Sequence, residues 1–417
     1  MSWERALNVI PDGVQTLSKR PTQYVNGVSP KFLVRGEGCH VWDENGKEYI
    51  DFVMGLGAIL LGYAWPTTLK AISEQYAKGA VMSLPNPLEY EVAELICKHV
   101  PCADMVRFAK NGSDVTEAAV RLARGIKGRD IILVPKHAYH GFHDWFACKL
   151  PLNDGIPAEL EFTVFKYNSY DLDDLEKNLK EYNPAAITFE YATEMPPEGF
   201  FKDAIDLAHK YDALVIWDEV VTGFRMGIGG AQEYFGATPD LCAIGKGMGN
   251  GLPVSAVCGK REYMEHFSHV LLSSTFGGDL VSLAAAKATI EELESTNIVQ
   301  NVFDNSVSLK DILTYTFGEY FADVKIIGHG PRMGFSFKDW DGKESNLMRS
   351  LFIQETVKRG ILFGVPLFIS PSHSYDDLKN TISAVEEAMV VVDKATMEKD
   401  FEKYMEGEPI QEVFRRH

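Results

Sequence analysis

Ala213-Leu-Val-Ile-Trp-Asp-Glu-Val220 and Leu241-Cys-Ala-Ile-Gly-Lys246 are short apolar runs, each closing on charged residues. Similar runs recur at Met105–Ala109, Ile131–Pro135, Phe162–Tyr167, Ala185–Glu190 and Val254–Cys258. Between several of them lie segments with helical periodicity, at Thr116–Ile126, Leu172–Tyr182 and Lys202–Tyr211. Near-continuous apolar strands alternating with helices imply crossover units and a mainly parallel sheet covered on both faces. The seven runs predict one large α/β sheet.

The flanks read differently. From Lys31, the alternating stretches Lys31-Phe-Leu-Val-Arg35, Cys39-His-Val-Trp42 and Glu48-Tyr-Ile-Asp-Phe52 surround an Asn45-Gly46 turn, which predicts a small antiparallel meander. After Ile298 the chain turns to longer helices, a few strands (Val324–Gly328, Arg332–Phe337, Ile361–Phe363) and a closing helix near Asp376–Asp393. The expected organisation is an N-terminal segment and meander over 1–55, a large α/β domain over 56–300, and a smaller α+β domain over 301–417 that the meander joins.

Composition narrows the function. The 417 residues carry 59 Asp+Glu against 41 Lys+Arg, a net charge of −18, which opposes a nucleic-acid or anionic-membrane partner. Six scattered cysteines form no CxxC pair and read as buried thiols. The start of the chain is charged and has no apolar signal core. The longest apolar stretch, Met54–Trp65, is broken by glycines and too short for a bilayer, so a cytoplasmic protein is expected.

In open α/β sheets, ligands bind at the carboxyl ends of strands. Three strand ends carry candidate chemistry. Lys110-Asn111-Gly112-Ser113-Asp114 precedes a helix and can cradle a phosphate on its N–H groups, or can simply cap the helix through Ser113 or Asp114. Asp218-Glu219 places two carboxylates at a buried strand end, where partners are needed; an ordinary salt-bridged strand end meets the same need. Ile244-Gly245-Lys246-Gly247-Met248-Gly249-Asn250-Gly251 sets a lysine among glycines, either a reactive amine or a solvated loop residue. It is not a P-loop, because Asp240 stands where the first glycine belongs and no Ser or Thr follows Lys246. A phosphate cradle, a strand-end aspartate and a lysine downstream are together the parts that pyridoxal 5'-phosphate requires.

The motifs also resemble a family. Phe32 to Asp51, Asn111–Asp114 with Arg121-Leu-Ala-Arg124, Tyr139-His140-Gly141, Ile216-Trp-Asp-Glu-Val-Val-Thr-Gly-Phe-Arg225, Gly245-Lys246, Gly251-Leu-Pro253 and Ser274-Thr275-Phe276 together resemble the class III, fold-type I pyridoxal-phosphate aminotransferases. The branch they are nearest is that of glutamate-1-semialdehyde 2,1-aminomutase. The similarity runs from Pro11 to Ala388. It implies that Lys246 holds the cofactor through a Schiff base and moves protons, and that Asp218 pairs with the pyridinium nitrogen. It further implies Tyr139 on one face of the ring, Val220 on the other, and Asn111, Gly112 and Ser113 at the phosphate. His140 would orient its loop, Glu190 would lie near the phenolic side, and Thr275 would reach the phosphate of the neighbouring subunit of a homodimer. His137, His140 and His143 recur every three residues, but no carboxylate or cysteine completes a metal site with them, so no metal is expected.

The expected reaction moves an amino group between a small-molecule amino donor and a carbonyl acceptor. Intramolecular amino transfer is the alternative; decarboxylation, racemisation and cofactor binding without catalysis stand behind it. Four positions depart from the aminomutase branch. Lys19, with Arg20 adjacent, stands where that branch has a substrate-gripping arginine, and Leu56 replaces a tryptophan. Gly278-Asp279-Leu280 replaces Gly-Asn-Pro, and Phe368 to Asp376 is shorter than a glutamate-bearing loop. Glutamate 1-semialdehyde is therefore not carried over as the substrate.

Overall fold

The computed structural model describes residues 2–364 and 366–411; the end of the expected C-terminal domain, 412–417, and the lone position 365 lie outside the described residues. The chain forms two compact units, a larger one from residues 57–60 and 66–299, and a smaller one from both ends of the chain with 61–65.

The seven apolar runs of the larger unit are strands: β1 (Met105–Ala109), β2 (Ile132–Pro135), β3 (Val164–Tyr167), β4 (Ala186–Glu190), β5 (Leu214–Glu219), β6 (Leu241–Ile244) and β7 (Ser255–Gly259). They form one sheet in the order β1-β7-β6-β5-β4-β2-β3, in which only β7 runs antiparallel to its neighbours. Every residue of β5 is buried, as a strand covered on both faces requires. One face of β5 turns Trp217 into an aromatic cluster, with ring centroids 5.6 Å from Phe189 and 4.4 Å from Phe201. The other face turns Leu214 and Ile216 against the helix Gly112–Lys127. That helix buries Val115, Ala118, Ala119, Leu122 and Ala123, a single stripe at helical spacing.

The helix begins earlier than the periodicity suggests. Its N-cap is Asn111, not Ser113 or Asp114. Asp114, at the third helical position, reaches back to accept the N–H groups of Asn111 (2.8 Å) and Lys110 (3.2 Å). That reciprocal capping moves the first helical turn onto Gly112 and Ser113.

The smaller unit is α+β. Leu33–Glu37, His40–Asp43 and Glu48–Asp51 form the expected antiparallel meander, extended by the parallel pairing of Ile361–Leu362 with Ile50 and Asp51. Asp323–His329, Arg332–Lys338 and Leu367–Phe368 make a separate three-stranded sheet. The closing helix spans Tyr375–Glu398 and is capped by Ser374.

Asp240, the residue that argues against a P-loop, is structural. It is fully buried, and its carboxylate accepts Lys260 Nζ (2.6 Å), His209 Nε2 (2.8 Å) and the Val215 N–H (2.9 Å). Burial acts to raise its pKa, but the hydrogen bonds from His209 and Lys260 outweigh burial and hold the carboxyl below its ordinary range. A depressed carboxyl contributes stability that is present above its unfolded pKa and is lost as pH falls through the folded one. Asp240→Ala should therefore cost about 2 kcal/mol at pH 7, discounted because Lys260 and His209 can resolvate. The variant should also lose less stability than the wild type between neutral pH and the acid range below the ordinary Asp value. Denaturation midpoints at pH 7 and pH 3.5 check both; an unchanged pH 7 midpoint would contradict the assignment.

Candidate active site

The carboxyl ends of the parallel strands collect the charged residues singled out above. Glu190 at the end of β4 is in register with Asp218 near the end of β5, and Glu219 is in register with Ile244 at the end of β6. Lys246 lies two residues beyond Ile244 at the same edge. Through β7, Ala109 is brought to this edge as well, since Ser255 opposes Ala109 and Ala256 opposes Ile244.

The two carboxylates of Asp218-Glu219 part company because successive strand residues face opposite sides. Glu219 turns away from the helix Gly112–Lys127. It accepts the N–H groups of Ala231 (2.6 Å) and Gln232 (3.0 Å) and the Thr222 hydroxyl (2.9 Å), capping the short helix Gly230–Phe235. Burial pushes its pKa up to about 7. Asp218 faces the other way. Its Oδ2 lies 2.8 Å from His140 Nδ1, and its Oδ1 accepts the Val220 N–H at 3.0 Å. His140 Nε2 lies 2.9 Å from Thr188 Oγ1 on β4. His140, Thr188 and Asp218 are all buried. Thr188 was not singled out in the sequence; the only signal is a lone hydroxyl inside an apolar run.

The segment after β2 supplies the remaining parts. The Tyr139 N–H donates to Glu190 Oε2 at 2.8 Å, which leaves the tyrosine ring partly exposed at the strand ends. Ser113 Oγ accepts the Phe142 N–H (3.1 Å), and Thr116 Oγ1 donates to the carbonyls of His140 (2.7 Å) and Ser113 (3.1 Å). The Tyr139–Phe142 segment is thereby pinned to the first turn of the helix Gly112–Lys127. His143 lies near Asp114 (3.6 Å) and Glu117 (3.9 Å).

Two glycines permit close approaches that a side chain would block. A Cβ on Gly112 would lie 2.8 Å from Val220 Cγ1, and one on Gly141 would lie 2.4 Å from Ser113 Oγ, at a φ of +104°. Gly112 and Ser113 also occupy the first helical turn, where N–H groups have no intrahelical acceptor and favour an anion. Lys246 is half-buried and adopts a φ of +43°, a strained conformation for a residue with a side chain. Arg225 is buried, and its Nη2 holds the carbonyls of Gly57 (2.7 Å) and Ile59 (3.3 Å). Thr275 lies exposed in a turn, separate from these contacts within one chain.

Arg20, beside the departing Lys19, is ion-paired with Asp12, and Leu56, another departure from the aminomutase branch, has a φ of +59°. All six cysteines are free, and Cys97 alone is not fully buried. Burial holds Cys242 and the hydrogen bond with Cys102 holds Cys258 well above the ordinary thiol range.

A mainly parallel sheet with one antiparallel strand, and a lysine, an aspartate and an N-terminal helix turn at one edge, define a fold-type I enzyme of the kind that uses pyridoxal 5'-phosphate. The profile of the family described as "Aminotransferase class-III" matches residues 23–372, and the chain belongs to that family. It is 34% identical over 416 residues to "Glutamate-1-semialdehyde 2,1-aminomutase 2" of Exiguobacterium sp., covering 92% of this chain and 95% of that protein. Among solved structures, the PLP internal aldimine form of the FumI protein of Sphingopyxis sp. MTA144 superposes with a TM-score of 0.89 at 26% identity, over 98% of this chain and 97% of that one. An omega-transaminase from Sphaerobacter thermophilus shares the fold, with a TM-score of 0.86 at 24% identity over 93% and 96% of the two chains.

Gly141→Ala should displace the cradle and lower stability by about 1–3 kcal/mol, combining overpacking with a disfavoured φ. A thermal midpoint equal to that of the wild type would show that Ser113 does not constrain this position.

Proposed function

We propose that the chain is an aminotransferase that passes an amino group from a small-molecule donor to a carbonyl acceptor, with Lys246, Asp218 and the Asn111–Ser113 cradle as its working parts. The observation that carries the reading is the buried Thr188–His140–Asp218 chain, which holds one carboxylate at the strand edge that also carries Lys246. The residues present fit pyridoxal 5'-phosphate. The first helical turn at Gly112 and Ser113 suits its phosphate, Gly112 and Gly141 let that turn pack directly against Val220 and the Tyr139–Phe142 segment, and Asp218 would suit a cationic ring nitrogen. When bound, this group supplies an electron sink for the carbon that carries the amino group.

The protein's own residues do the rest. Lys246 Nζ would hold the group when it is bound and, once the substrate's amine has taken its place, the freed amine would take and return the proton at the substrate carbon. Asp218 keeps a positive charge stable beside it. His140, held from behind by Thr188, stops that carboxylate from rotating and is a positioning residue. Glu190 fixes the backbone of Tyr139, whose ring would face the group, with Val220 as the residue that would pack against its other side.

The working form is a homodimer in which Thr275 completes the neighbouring site. The exposure of Tyr76, Leu84, Tyr90 and Phe276 supports a covered surface. No helix among the described residues is long and apolar enough to cross a membrane, and six free cysteines suit a reducing cytoplasm. Intramolecular amino transfer is the second reading, favoured by the 34% identity to an aminomutase.

Lys246→Ala should lose borohydride-trapped cofactor and lower turnover by about a thousandfold or more, with full turnover in this variant excluding the assignment. His140→Ala should retain the trapped lysine and lose about tenfold or more in kcat. Turnover measured with and without an external amino donor separates the readings, since only the mutase continues through many cycles without one.

A further inference from the structure

Residues Leu271 to Asp279 run without regular structure beside β1, and cationic side chains staple them there. At the start, Arg121 Nη1 donates to the Leu271 carbonyl (3.0 Å), and Arg107 donates to the Leu272 carbonyl through Nε (3.0 Å) and Nη2 (2.6 Å). In the middle, the segment passes so close to β1 that a Cβ on Gly277 would lie 3.0 Å from the Phe108 carbonyl oxygen. At the end, Lys110 Nζ pairs with Asp279 Oδ2 and also donates to the Pro253 carbonyl (2.9 Å) and Ser282 Oγ (3.3 Å). Between the staples, Ser273, Ser274, Thr275 and Phe276 are all exposed.

The Lys110–Asp279 pair differs from an ordinary surface ion pair. The two side chains are only 16% and 14% exposed, so both charges are largely withdrawn from water. Lys110 directly precedes the cradle residue Asn111, and its own N–H is held by Asp114. Asp279 also caps the helix Leu280–Ser295 through the N–H groups of Val281 (3.2 Å) and Ser282 (3.3 Å). One ammonium therefore joins the cradle, the turn that follows the Lys246 loop, and the end of the Thr275 segment. Lys110, Asn111, Phe276 and Asp279 share the wall of one open cavity of about 550 Å³, so the cradle and the turn face the same space.

We propose that Lys110 is a positioning residue for the cofactor's phosphate, which through Asp279 holds the Thr275–Phe276 turn in the pose from which Thr275 is presented. The inference rests on the reading of the site given above. An arginine at position 110 keeps the charge and can still reach the carboxylate, whereas a methionine keeps the stem and removes the charge. Asp279→Asn keeps the helix cap and removes the charge from the other partner.

The test is the dissociation constant of pyridoxal 5'-phosphate, measured by equilibrium dialysis with the full chain. Lys110→Met, Asp279→Asn and Thr275→Val should each weaken binding by about tenfold, and Lys110→Arg should recover most of the loss. Lys110→Met combined with Thr275→Val should bind within about twofold of the weaker single variant, because both act on one contact. At saturating cofactor, the loss should lie in affinity rather than in kcat, a split that general unfolding does not produce. Unchanged affinity in both Lys110→Met and Asp279→Asn, or losses that multiply in the double variant, overturns the proposal. A wild-type chain that takes up no pyridoxal 5'-phosphate instead overturns the reading of the site, and this inference with it.

Discussion

A carboxylate at the end of a strand buried on both faces is held in a state that water would otherwise stabilise, so the surrounding structure must supply its partners. Asp218 obtains them from His140 and from the N–H of Val220, and His140 is braced in turn by Thr188. The arrangement draws on two strands, β4 and β5, and the segment after β2. Much of the larger unit's detail follows from this requirement. The Tyr139–Phe142 segment must lie against the helix Gly112–Lys127 for His140 to reach Asp218, and that close approach requires glycine at 141, while glycine at 112 lets the helix start lie against Val220.

Charge is handled locally in this acidic chain. Its 41 Lys and Arg are outnumbered by 59 Asp and Glu, and several of the cations are committed to single structural tasks. Lys260 and His209 neutralise the buried Asp240 behind the sheet. Lys110 neutralises Asp279 beside the cradle, and Arg107 and Arg121 hold backbone carbonyls of the following segment. The candidate cradle offers N–H groups at a helix start, which suit an anion without adding a full positive charge.

The legible part of the fold was the part governed by burial on both faces. All seven strands of the large sheet stand out as apolar runs, and the meander is marked by Asn45-Gly46 between alternating stretches. Local competition was harder to read. The start of the helix at Gly112 depends on Asp114 reaching back to Asn111, and a sequence offering Asn111, Ser113 and Asp114 as caps does not rank them. The two-residue strand Leu367–Phe368 is too short to carry a period and exists because it pairs with Arg332 and Met333.

The sequence by itself determined the fold class and put forward the candidate reactive groups, because strand periodicity and motif spacing are properties of neighbouring residues. Lys246, Asp218 and the Asn111–Ser113 turn could be named on that basis. Tertiary structure decided how adjacent groups divide their work. Of two consecutive carboxylates, the pleat sends Glu219 to a helix cap and Asp218 to His140. It also decided that Thr188 meets His140 and that Lys110 and Asp279, far apart in the chain, form one largely buried pair. Such partners meet only when separate strand ends are brought to a common edge, and no local pattern records that meeting.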